Sequence, residues 1–466
     1  MRLHRSELNN LLKWLNKSTR KPLVIRGARQ VGKSTLVRQV ADTSGRFCLE
    51  LNFEKSPELA DFFTNKDPKQ IMQKLAIYAK RSLDPYKTLL FLDEIQAAPQ
   101  ILEVLRYFYE EYPELPVVAA GSLLDFVLAA PEFSMPVGRI EYFHLGPLSF
   151  EDFLTALGQT SLVDWMRNLT LHDNIPLPLH QRCLELVRQF WLVGGMPEIV
   201  AHYRNYVAHA QEFQDFQEID NLKQNILQTY QDDFHKYGRT KQIPLLRKVF
   251  KTVPSLIGDT LKYSTIDREH KSTQVRDALE NLHLARLIHL VHHSSATGIP
   301  LRATMNPKIF KILLLDIGLL CSALGLDQLE IIQGHDWAWI NRGSLAEQFI
   351  GQSLLKLSPS YHVPELFYWV REKAQAAAEL DYIWQYKNAL IPLEVKAGKT
   401  GRLKSLQYFI REKKWPFAVR FNADKPSLLQ EIAHLPNEKP VFYTLLSLPF
   451  YLVEQLERLV TLEGVK

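Results

Sequence analysis

An α/β fold built on a parallel sheet is what the first 160 or so residues predict, and three observations predict it. Short apolar runs alternate with helical patterns, a glycine-rich turn follows the first run, and two acids close the third. The first strand is expected at Leu23–Ile25 and the second at Phe47–Leu51. Leu89–Leu92 is the third and Val117–Ala120 the fourth. Each run is short, and all but Phe47–Leu51, which carries Glu50, are wholly apolar, as a strand covered on both faces requires.

The glycine-rich turn carries the chemistry. Gly27-Ala28-Arg29-Gln30-Val31-Gly32-Lys33-Ser34 fills the phosphate-loop pattern in full, and Thr35 to Val40 continue it as a helix. Its glycines let backbone N–H groups turn inward around phosphates, whose charge also meets the positive end of the helix. Lys33 is expected on the β- and γ-phosphates of a nucleoside triphosphate and Ser34 on Mg²⁺, with Gly27 to Thr35 forming the nucleotide cradle. Leu89 to Leu92 then end in Asp93-Glu94, a second and independent match. Asp93 is placed to hold magnesium, and Glu94 to polarise the attacking water.

Two further positions leave alternatives open. Ser122, after Ala119-Ala120-Gly121, is either a γ-phosphate sensor or the cap of the next helix. Arg139 is either a guanidinium for phosphate charge in transfer or half of a surface ion pair. Arg26 and Arg29 flank the loop within possible reach of phosphate.

Composition bounds the rest. A chain of 466 residues exceeds one ordinary core, so about two to four domains are expected. With 46% hydrophobic and 23% charged residues it is neither disordered nor fibrous. Cys48, Cys183 and Cys321 stand far apart, without metal or disulfide spacing, which fits a reducing cytoplasm. The longest apolar run, Ile312 to Leu326, is interrupted by Asp316 and is too short to cross a bilayer, so no membrane partner is expected. A net charge of +5 does not by itself select nucleic acid as a partner.

From about 160 to 235 the pattern is helical, broken at Gly194-Gly195-Met196-Pro197. Lys271 to Leu282 places Val275, Ala278, Leu279 and Leu282 on one helical face, with Lys271, Gln274 and Arg276 off it. A hairpin-like stretch follows from Leu287 to Thr304, then a helix from Arg342 to Leu357, two strands and another helix. The segments GARQVGKSTL, LLFLDEIQ, AAGSLLDF, GRIEYFHLGPLSFEDF, GGMPE and FKILLLDIGLL resemble, in order, the AAA-type ATPases that carry a C-terminal DUF4143 region. The resemblance implies an AAA-like core (1–160), a helical lid (161–238), a winged-helix module (239–332) and a restriction-endonuclease-like domain (333–466). On a winged helix the polar face would meet DNA, or else pack on a neighbouring domain.

Glu379 to Lys396 reads as two strands joined at Lys387-Asn388, with asparagine taking the left-handed turn position. In a two-residue loop Asp381 faces Glu394 and Glu379 faces Lys396, all four on one sheet face. Opposed carboxylates repel, and a divalent cation such as Mg²⁺ or Mn²⁺ turns that repulsion into binding. Lys396 would steady a pentavalent phosphate or position the attacking water. Alternatively Glu379 and Lys396 form an ordinary cross-strand ion pair. The D…E-x-K arrangement resembles the PD-(D/E)xK nucleases, and the resemblance adds Glu347 as a further acid near the metal. Leu380 stands where that family usually has proline.

From Arg371 to Arg420 there are eleven lysines and arginines against five acids, an excess suited to a polyanion. The expectation is therefore an ATP-hydrolysing protein, with ATP and Mg²⁺ as ligands and DNA as a partner, carrying a metal-dependent nuclease-like domain. Its alternative is an ATP-switched regulator whose nuclease-like domain binds without cleaving. A homo-oligomer or a partner protein stays open.

Overall fold

The computed structural model describes residues 3–128, 138–209, 214–236, 240–326, 343–371, 378–396, 403–433 and 440–463. These form two compact units. The smaller comprises Met1–Pro147 with Leu284–Leu287 and Pro359–Pro364, and the larger comprises the rest.

The smaller unit is built on five parallel strands: β1 (Leu23–Arg26), β2 (Phe47–Asn52), β3 (Thr88–Asp93), β4 (Val117–Gly121) and β5 (Glu141–His144), in the order β2-β3-β4-β1-β5. All six residues of β3 and all five of β4 are buried, which explains their unbroken apolar character. Helices Pro68–Tyr78 and Ile101–Glu111 cover one face through Ile71, Leu75, Ile101, Leu105 and Phe108, packed with Leu90, Leu92 and Ala119. Four strands match the sequence expectation. The fifth, β5, was not foreseen: Glu-Tyr-Phe-His has no apolar run, and only Phe143 among its residues is fully buried.

The larger unit begins with helices, including Leu177–Val193 and Pro197–His209, on either side of the expected break. Gly194 there takes φ of 78°, and the Gly195 N–H donates to the buried Asp316 carboxylate at 2.7 Å. Helix Ser272–Leu284 follows, burying Val275, Ala278, Leu279 and Leu282 as its spacing requires. Lys271, Gln274 and Arg276 are exposed, and Arg276 pairs with Asp277 and Glu280.

Eight strands complete this unit: β6 (Ile288–Ser294), β7 (Met305–Leu314), β8 (Phe367–Val370), β9 (Glu379–Tyr386), β10 (Ala389–Val395), β11 (Phe417–Asn422), β12 (Ser427–Ala433) and β13 (Val441–Pro449). They make one mixed sheet, ordered β12-β13-β11-β10-β9-β8-β6-β7. The sequence reading needs correction in two places. The second strand of the Leu287–Thr304 hairpin begins only at Met305, because Leu301–Thr304 forms a single 3-10 turn. Among the described residues six strands, not two, follow helix Gly343–Leu357. The pair β6–β7 joins that same sheet through β8.

Arg342, Glu372, Lys373, Lys399 and Arg402, and the boundaries expected near residues 238 and 332, lie outside the described residues. Among the described residues no helix is long and apolar enough to cross a membrane.

Candidate functional sites

The loop between β1 and helix Lys33–Thr43 doubles back through two left-handed residues, Gln30 at φ 64° and Gly32 at φ 89°. Gly27 is required on other grounds: a Cβ there would lie 2.2 Å from the Leu145 carbonyl oxygen. The buried Arg5 guanidinium donates to the carbonyls of Val31 at 2.5 Å and Gly146 at 2.6 Å, so it braces the loop from behind. Sequence reasoning missed Arg5, which lies 26 residues upstream of its partner and outside any motif.

Lys33 is buried, and its ammonium donates to the carbonyls of Gly27 at 3.0 Å and Ala28 at 2.8 Å. Burial pulls its pKa down to about 8, against the opposing pull of Glu94 and Asp93. Ser34 Oγ donates to both oxygens of Asp93, at 3.1 and 3.0 Å. Asn52 Nδ2 adds a donor to Asp93 at 3.2 Å. Burial, followed by the neighbouring Glu94 charge, raises the Asp93 pKa. A hydroxyl and a carboxylate thus converge behind the loop, a hard oxygen set that fits magnesium. Glu94 itself takes φ of 51°, and Gln96 Nε2 donates to its carboxylate at 2.6 Å.

Loop, Lys33, Ser34, Asp93 and Glu94 therefore come together. Ser122 is buried close after β4, and its Oγ has no hydrogen-bond partner among the described residues, so it does not act as a helix cap. Arg139 is about half exposed and holds Glu110 at 2.6 Å, the surface-pair alternative. Arg29 pairs with Glu54 at 3.4 Å. Arg26 is turned onto the buried Asp125, which Arg286 also holds at 3.2 Å. Neither flanking arginine is aimed into the loop by these contacts.

The second site lies in the larger unit. The register of β9 and β10 is the expected one, with Tyr386 opposite Ala389 and Tyr382 opposite Leu393. The left-handed turn residue, however, is Lys387 at φ 51° rather than Asn388. One step beyond the Tyr382–Leu393 pair, Asp381 accepts the Val395 N–H at 2.7 Å. Glu394 is buried; its Oε1 meets Lys396 Nζ at 2.5 Å, while its Oε2 has no partner among the described residues.

Glu347 arrives on helix Gly343–Leu357, which is held tightly against the sheet. At Gly351 a Cβ would lie 2.5 Å from Tyr382 Oη, and that hydroxyl donates to the Glu347 carbonyl at 2.8 Å. The Gln348 amide grips both the N–H and the carbonyl of Leu314, at 2.9 and 2.8 Å, fixing the helix over the end of β7.

The expected partner of Glu379 is wrong. Lys396 pairs with Glu394, and Glu379 instead meets Lys311 Nζ at 2.5 Å. Lys311, on β7, also reaches Glu347 at 3.1 Å and Asp381 at 3.8 Å, with its side chain only 3% exposed. It was not foreseen, because in Phe-Lys-Ile-Leu-Leu-Leu it reads as one polar residue in an apolar strand. A buried lysine requires acidic partners, and that requirement was the available signal.

Crowding of acids away from water shifts Glu347, Asp381 and Glu394 upward. Burial, then the Asp381 charge, raises the Glu347 pKa to about 8 and that of Glu394 to about 7. Burial raises Asp381 as well, against Lys311. Lys311 is raised too: burial opposes its charge, but Glu347, Asp381 and Glu379 outweigh burial. These carboxylates are oxygen ligands of the kind a hard divalent ion takes, and Glu394 Oε2 has no partner among the described residues. Among those residues, however, the three groups whose ligand atoms lie within 4.8 Å of one another are Asp267, Glu269 and His270.

Comparison with known proteins gives three family matches: an AAA domain over residues 19–154, a domain of unknown function (DUF8612) over 184–330, and the domain of unknown function DUF4143 over 342–426. No curated protein matches significantly. Among solved structures, the Walker-type ATPase PABY2304 of Pyrococcus abyssi is 14% identical, covering 69% of this chain and 96% of its own, at a TM-score of 0.43. PCH-2 of C. elegans is 12% identical over 47% of this chain and 67% of its own, at 0.29. The RuvB Holliday junction branch migration motor of Thermotoga maritima is 11% identical over 62% and 89%, at 0.28.

Proposed function

This chain is an AAA-type ATPase with a DUF4143 region toward its C-terminus, and from that premise we propose that it hydrolyses ATP to control a DNA-contacting, metal-dependent nuclease-like domain. The observation that carries the ATPase half is the convergence of Ser34 on Asp93 beside Lys33. Backbone N–H groups of Gly27 to Ser34 receive the phosphates, and Lys33 exchanges its loop carbonyls for phosphate oxygens. Ser34 and Asp93 would hold Mg²⁺, which neutralises charge on the transferring phosphoryl group. Glu94 orients and deprotonates water, and Ser122, buried and without a hydrogen-bond partner for its hydroxyl among the described residues, serves as the γ-phosphate contact.

For the second site, Asp381, Glu394 and Glu347 would hold Mg²⁺ or Mn²⁺, which lowers the pKa of bound water and stabilises phosphorane charge. Lys396 supplies the ammonium beside the scissile phosphate. The orphaned Glu394 Oε2 supports this reading. Helix Ser272–Leu284 would act as a winged-helix recognition element, offering Lys271, Gln274 and Arg276 to phosphate and base edges. A second reading, binding without cleavage, is favoured by the ion pairs that already satisfy Glu379 and Glu347 through Lys311.

Incubation with ATP, Mg²⁺ or Mn²⁺ and single-stranded, duplex and branched DNA separates the two. The proposal expects cleavage that Lys396→Ala lowers at least about a hundredfold, on the scale of losing one electrostatic catalyst. Cleavage indifferent to that change, or none on any DNA, leaves the non-cleaving reading.

A further inference from the structure

Lys311 places a positive charge where the nuclease-like reading needs a metal. Its Nζ is 3.1 Å from Glu347, 3.8 Å from Asp381 and 2.5 Å from Glu379, so one ammonium serves three carboxylates. A hard divalent ion takes carboxylate oxygens at about 2.0–2.6 Å. Bound to Asp381 and Glu347 it would therefore stand within a few ångströms of this ammonium, in a setting where like charges repel strongly. The two cations compete for the same oxygens.

The surroundings also offer the lysine partners farther from Glu347 and Asp381. Glu379 is the outermost of its partners, with a 35% exposed side chain, and is anchored by Thr260 Oγ1 at 2.9 Å. The Tyr368 ring centroid lies 5.4 Å from Nζ, a second acceptor for the ammonium. Lysine's four-carbon stem allows such a shift without moving the strand.

We propose that Lys311 is a tethered competitor of the divalent ion: it occupies Glu347 and Asp381 in the metal-free protein, retreats onto Glu379 when metal binds, and thereby sets metal affinity. The inference rests on the metal-binding reading above. Lys311 is a positioning residue, separate from Lys396.

Titrating MnCl₂ into the nucleotide-free full chain by calorimetry tests it, with Asp381→Asn as the control for other sites. Lys311→Met is expected to bind Mn²⁺ at least tenfold more tightly than wild type, with the gain abolished by adding Asp381→Asn. Equal binding by wild type and Lys311→Met, both sensitive to Asp381→Asn, overturns the Lys311 inference and leaves the metal reading standing. No binding by either at millimolar Mn²⁺ overturns the metal reading and the inference with it. Should Lys311→Met fail to fold, nitrogen NMR of lysine side chains in the wild type decides. The Lys311 Nζ resonance, assigned by its loss in Lys311→Arg, is expected to shift as Mg²⁺ saturates the site, and metal binding that leaves it unmoved refutes the exchange.

Discussion

The two sites gather charge in opposite ways. In the smaller unit one contiguous loop supplies most of the site, and its lysine is held by backbone carbonyls of that same loop. In the larger unit the acids come from a helix and two strands, and the cation among them comes from a third strand, β7. The first is a cradle of fixed dipoles awaiting an anion. The second is a knot of buried acids held together by lysines, whose repulsion is stored in the fold. A backbone cradle tolerates changes around it, whereas a side-chain knot should respond to pH, metal and any single member.

The largest expected effect breaks the cradle's chemistry without its grip. Glu94→Gln is expected to lower ATP turnover by about 10²–10⁴ while leaving nucleotide affinity within a few fold, since general base catalysis contributes on that scale. Parallel loss of affinity would show that Glu94 shapes the loop instead.

Next in size is the pH response of the knot. The carboxyls of Glu347 and Glu394 titrate at about 8 and about 7 in the folded chain, against 4.5 as the ordinary value. Between about pH 5 and 8 the folded state therefore retains protons that the unfolded chain has released, and stability falls as pH rises. Melting curves of the metal-free protein should show that decline, with Glu347→Gln flattening it and Mn²⁺ levelling it. A melting temperature that climbs across this window would contradict the burial of these acids.

The smallest effect is expected at Arg139. Because it is exposed and already paired with Glu110, Arg139→Ala should leave ATP turnover within about a factor of two, as exposed ion pairs contribute little. A hundredfold loss would return Arg139 to the role of a transition-state guanidinium.

What was legible in the sequence follows the same division. The cradle could be read because its parts are adjacent: Gly27 to Ser34 on one turn, and Asp93-Glu94 at the end of a strand that is apolar throughout. The β9–β10 register was legible because a two-residue loop fixes which residues oppose. The pairing of charges was not. Glu379 had two lysines in reach, and only the placement of β7 beyond β6 and β8 in the sheet decides for Lys311, 68 positions upstream of it. Arg5 and β5 were missed for a related reason: each takes its role from a partner that no local pattern announces.

The most direct test of the nucleotide cradle is calorimetric titration of ATP with excess Mg²⁺ into the wild-type chain and into Lys33→Ala. Saturable binding by the wild type and its loss, by at least about a hundredfold, in the variant is the predicted result. A wild-type chain that binds no nucleotide, or a variant that binds ATP as tightly as the wild type, would contradict it.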